Sequence, residues 1–169
     1  LQEALQLEPD NRTAMELLGD AYYKANDLNA AVSTWEYLLQ NGEDADLRQK
    51  LDKARRELEV EGSYKSTGSR HFQVSFAPGT RYYEVNELTR ILESARRDIG
   101  RKLGGAYPAA TVQVIAYTAV DFSQATDLGE PTGALYDGKI RVPIENKAGD
   151  RLPPDELRRR LYHEYTHVV

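Results

Sequence analysis

Residues 61–76 read Glu61-Gly62-Ser63-Tyr64-Lys65-Ser66-Thr67-Gly68-Ser69-Arg70-His71-Phe72-Gln73-Val74-Ser75-Phe76. The first nine are small and polar, as in a linker or connecting loop. From His71 the pattern alternates, with Phe72, Val74 and Phe76 on one face and His71, Gln73 and Ser75 on the other. A half-buried strand does this, because successive strand side chains point to opposite faces. The hydrophobic period therefore changes here. The chain divides into a helical part, residues 1–61, a linker, 62–69, and an α+β part, 70–169.

Upstream, apolar residues recur at spacings of three and four, and polar breaks fall at Pro9-Asp10-Asn11, Asn26-Asp27 and Asn41-Gly42. This predicts helices over residues 11–25 and 28–40. A third, 46–60, carries Leu47, Leu51, Ala54 and Leu58 on one stripe and charges elsewhere, as in a helix that closes an array. Downstream, the period predicts a helix over 83–103 ended by Gly104-Gly105 and a central strand over 111–118. Strands over 133–137 and 139–144 flank Asp137-Gly138, a favoured tight-turn pair. A final helix is opened by Pro153-Pro154 with Asp155 and Glu156 in its first turn, which the helix dipole favours. Residues 127–132 read either as a loop over a cleft or as a plain connection.

The chain has 169 residues with 22 Lys+Arg, 27 Asp+Glu and a net charge of −5, spread rather than blocked. This argues against a general nucleic-acid binder, which needs a basic face. No apolar run approaches the roughly 18 residues of a bilayer span. There is no Cys, which excludes disulfides and leaves the redox compartment open. The chain opens at Leu1 within a helical pattern and its single Met is Met15, so it reads as a stretch of a longer polypeptide. The lack of a leader at this end then says nothing about compartment.

The final helix contains Tyr162-His163-Glu164-Tyr165-Thr166-His167, an HExxH pattern that uses two of the chain's three His. A spacing of four places both imidazoles on one helix face, about 6 Å apart along the axis, where both can reach one metal ion. Glu164 is turned about 100° from His163, toward a metal-bound water rather than the metal. Against this stands a solvated His pair beside a surface Glu. His71, on the polar face of its strand, reads as structural. Arg158-Arg159-Arg160 reads as a solvated face, and the tyrosines at 22, 23, 37, 82 and 83 as packing residues.

Two resemblances follow from these residues. Pro9, Met15, Leu18, Gly19, Tyr22, Ala31 and Trp35 resemble a tetratricopeptide repeat, in which small residues, here Gly19 and Ala31, sit where two antiparallel helices touch. Asn26 stands where that repeat has Gly. The resemblance implies a concave helix face, with Thr13, Glu16, Asp20, Tyr23 and Lys24 placed for a protein partner, or else a stub that packs only on its neighbour.

From about His71 onward the chain resembles the N-terminal half of a gluzincin metallopeptidase, similar to bacterial peptidase MA-like domains that follow tetratricopeptide repeats. That resemblance implies one Zn2+ held by His163 and His167, with Glu164 as general base and a peptide or protein as substrate. The third ligand, a Glu on a later helix in the family, has no counterpart here. Weak zinc binding and no efficient hydrolysis are therefore expected of these 169 residues alone. It also implies that Gly133, Ala134, Leu135 and Tyr136 form the cleft edge that pairs with extended substrate; an ordinary edge strand reads equally well. Two functions remain open: a zinc peptidase whose repeats recruit a partner or substrate, and a non-catalytic interaction scaffold.

Overall fold

The computed structural model describes residues 11–126, 128 and 133–169. The expected helix tail at residues 1–8 and most of the 127–132 segment lie outside them. The chain forms two compact units, Leu1–Gly62 and Ser63–Val169.

In the first unit α1 (Arg12–Lys24), α2 (Leu28–Gln40) and α3 (Ala45–Glu61) follow one another. Each starts on a side-chain cap, which satisfies backbone donors the first turn leaves unpaired. Asn11 accepts from the Ala14 amide at 3.0 Å, Asp27 from Ala30 at 3.1 Å, and Asp44 from Leu47 at 3.0 Å. Asn26 takes φ +61°, the left-handed turn conformation that Asn tolerates better than most residues. This is how Asn replaces Gly between the paired helices.

The middle helix, α2, packs on both neighbours. Its Ala31, Trp35 and Leu38 join Leu47, Leu51 and Ala54 of α3 in the unit's core. Gly19 of α1 lies so close to Trp35 that an added Cβ would collide with the indole ring. Charges are not confined to the outer face of α3: Glu57 is buried and accepts from the Tyr23 hydroxyl at 2.6 Å.

The second unit is a five-stranded mixed sheet, in the order β1 (Lys65–Gly68), β2 (Phe72–Phe76), β3 (Val112–Tyr117), β5 (Ile140–Pro143), β4 (Leu135–Tyr136). β2, β3 and β5 are parallel, and the outer strands β1 and β4 are antiparallel to their neighbours. Helix α4 (Tyr82–Lys102) connects β2 to β3, the kind of crossover parallel strands require. One face of the sheet packs on α4 and on α6 (Pro154–Val168). Phe72, Val74, Val114, Ile140 and Val142 meet Leu88, Leu92, Leu161 and Tyr165 there.

Three expectations need correction. Residues 65–68 of the supposed linker are strand β1, paired with β2 in the register Lys65–Phe76 to Gly68–Gln73. An eight-residue helix, α5 (Ala119–Thr126), stands where no element was expected; the Thr118 hydroxyl caps it by accepting from the Asp121 amide at 3.1 Å. Tyr37, Tyr82 and Tyr83 are exposed rather than packed. Beyond these, both faces of β5 are covered, so Arg141 is buried, as is Lys139 just before the strand. Arg141 is held by Asp137 at 3.1 Å and by the Tyr117 hydroxyl.

Candidate functional site

Helix α6 builds the site. Leu157, Leu161, Tyr165 and Val168 pack on the core and fix the rotation of the helix. At about 100° per residue, His163 and His167 then fall on the outward face. Glu164 lies at the boundary and is only 4% exposed. Tyr162 ties the helix to α4, donating to Asp98 at 2.7 Å.

The two Nε2 atoms of His163 and His167 are 3.3 Å apart, with ring planes at 80°. Two nitrogens bound at about 2.0–2.1 Å to one tetrahedral zinc stand about 3.3 Å apart, so the pair fits two ligand positions of such an ion. The same separation lets one neutral ring donate a hydrogen bond to the other. Among the described residues no group of three or more His, Cys, Asp or Glu is placed to hold a metal. The pair offers two nitrogen donors, one fewer than the three protein ligands usual for a catalytic zinc.

Burial raises the Glu164 carboxyl above the ordinary carboxylate range, and the nearby imidazoles of His163 and His167 offset only part of that rise. A carboxyl held there retains a proton more readily than a solvated Glu.

Edge strand β4 and the segment before it lie beside this helix. A cleft of about 340 Å³ is lined by Gly133 and Ala134 on one side and by Arg159, His163 and Glu164 on the other. Arg160 fixes the arrangement. Its guanidinium pairs with Glu156 and reaches the Gly133 carbonyl at 3.5 Å, and its side chain is 13% exposed. The solvated reading of the arginine run therefore fails at this position. Leu135 and Tyr136 lie farther along the edge and are half-buried, Tyr136 against the core. Sequence reasoning missed Arg160, whose signal was its position one turn before Glu164.

His71 is structural, as expected. Its Nδ1 meets Glu93 at 2.9 Å, and the Ser69 hydroxyl donates to the same carboxylate at 2.8 Å. Of the residues expected to face a partner, Glu16 and Asp20 are paired with Lys50 of α3 at 2.9 and 3.0 Å, and Tyr23 is bonded to Glu57. Thr13 and Lys24 are exposed. A second, mainly apolar cavity of about 230 Å³ lies between the starts of α4 and α6, beside the Arg151–Glu84 ion pair, and contains no histidine.

Among the described residues no helix is long and apolar enough to cross a membrane. No curated protein and no solved structure matches the chain. A family model, the Leprecan family TPR-like repeat region, matches residues 1–105, which covers the three helices and continues through β1, β2 and α4. With more than half of its length matched, the chain belongs to the Leprecan family TPR-like repeat region.

Proposed function

We propose that the helical unit is a protein-interaction module and that the second unit adds zinc-dependent hydrolysis of peptides. The first role is supported by the family match over residues 1–105, since stacked helical hairpins of this kind present extended binding surfaces. A non-catalytic scaffold built on those repeats is the reading the match favours most directly.

The peptidase role is carried by one observation, the 3.3 Å separation of the two Nε2 atoms on a helix that also buries Glu164. His163 and His167 would hold the zinc. When bound, zinc would lower the pKa of a coordinated water toward about 7 and polarise the scissile carbonyl. Glu164 takes the proton of the attacking water and passes it to the leaving amine. Gly133 and Ala134 carry little or no side chain, so an extended substrate backbone can approach this edge and add as a strand. Arg160 holds that edge at a fixed distance from the helix.

The test is Glu164→Gln in a zinc-loaded polypeptide that continues past residue 169, because two imidazoles alone hold zinc weakly. Zinc should be retained, while hydrolysis of an unstructured peptide should fall by about 10²- to 10⁴-fold, the usual worth of a general base. A variant that cleaves as fast as the parent would remove Glu164 from the mechanism. A parent that holds zinc and cleaves no peptide would leave the scaffold.

A further inference from the structure

The three consecutive arginines of α6 have different surroundings. Arg158 donates to the Tyr162 hydroxyl at 2.7 Å and lies over its ring, 4.5 Å from the centroid. Arg160 pairs with Glu156 and reaches the Gly133 carbonyl. Arg159 is exposed, lines the cleft beside His163 and Gly133, and has no carboxylate or carbonyl partner among the described residues. Glu156, the other acid at that end of the cleft, is already neutralised by Arg160. Glu164 also lines the cleft, on its buried side. Among the described residues, then, Arg159 is a guanidinium with no acidic partner that faces a cleft beside the edge strand β4.

We infer that Arg159 is a carboxylate-recognising subsite, which makes acidic extended peptides the preferred ligands of this cleft. The inference rests on the proposal that the cleft binds peptide. A guanidinium suits the task because its fork of donors matches the two oxygens of a carboxylate and stays charged at all relevant pH. Position sets the register. Arg159 precedes His163 by four residues, about 6 Å along the helix, and an extended chain advances about 3.3 Å per residue. The recognised carboxylate accordingly lies about two residues from the backbone group seated at His163 and Glu164. Either an Asp or Glu side chain or a free C-terminus can supply it.

The experiment measures binding rather than turnover. Fluorescein-labelled alanine-based hexapeptides are titrated with the metal-free 169-residue protein and followed by anisotropy. One pair differs by Glu against Gln at a central position, and the other by a free against an amidated C-terminus. The charged member of at least one pair should bind about fivefold or more tightly, and the pair that shows it identifies the source. Raising salt from 0.05 to 0.5 M should shrink the preference, as screening requires. Arg159→Gln should abolish it and Arg159→Lys retain part, while Arg158→Gln, outside the cleft, leaves it intact; circular dichroism verifies that each variant is folded. Equal binding within both pairs, no binding of any peptide by folded protein, or a preference that survives Arg159→Gln would each overturn the inference. Zinc uptake unchanged by substitution of His163 and His167 would instead defeat the peptidase reading and leave the subsite standing.

Discussion

His163 and His167 hold their Nε2 atoms 3.3 Å apart with edge-to-face rings whose centroids are 5.0 Å apart. If this pair is a ligand pair, the 169-residue protein should bind zinc at up to one equivalent, more weakly than a complete three-ligand site. His163→Ala or His167→Ala should each weaken binding at least tenfold in competition with a chromogenic chelator. Affinity should also fall on acidification, because a ligating imidazole must be deprotonated. Uptake that ignores both substitutions would place the ligands elsewhere.

Glu164 gives the site a pH signature without metal. Its carboxyl is raised in the fold by burial, so the unfolded chain ionises first and stability declines as pH rises from about 4.5 through the folded value. Glu164→Gln removes that penalty. In zinc-free protein the variant should melt at a higher temperature than the parent at pH 7 to 8, with the difference gone by pH 3 to 4. Such a gain from losing a candidate base would be a stability–activity trade-off.

Glu93 behaves in the opposite way. Burial pushes its carboxyl up, but hydrogen bonds from His71 and Ser69 outweigh this and hold it below its ordinary 4.5. The stabilisation is present above the unfolded value and lost as pH falls through the lower folded one. Both side chains of the pair are partly screened by solvent, at 29% and 25% exposed, so Glu93→Gln should cost about 0.5–1 kcal/mol at neutral pH. Denaturant titrations should show that difference closing below about pH 4.

Trp35 reports on the helical unit, being the chain's single tryptophan. Gly19→Val should destabilise the unit by about 2 kcal/mol, read as a lower denaturant midpoint in its fluorescence, because the indole has to move to admit the new side chain. In a Trp35→Phe background, followed by circular dichroism, the same substitution should cost less, since neighbouring sites couple. Equal costs in both backgrounds would show that Gly19 is needed for some other reason.

The sequence by itself determined the described helices other than α5, the change of period at His71, the Asp137-Gly138 hairpin and the joint placement of His163, Glu164 and His167 on one helix. All of these are local, because a spacing of four is next-turn contact in any helix. Tertiary structure decided what long-range pairing controls. Strand β1 is mostly exposed, so Lys65, Ser66 and Gly68 have no apolar alternation to announce it; only pairing with β2 makes it a strand. Nothing in the residue types of Lys139 and Arg141 announces burial, yet both are buried, Arg141 because both faces of β5 are covered. Among three identical arginines, the sequence does not distinguish the one over Tyr162, the one tied to Gly133 and the one facing the cleft. That was settled by the rotation of α6 on its packed face and by where strand β4 comes to lie beside it.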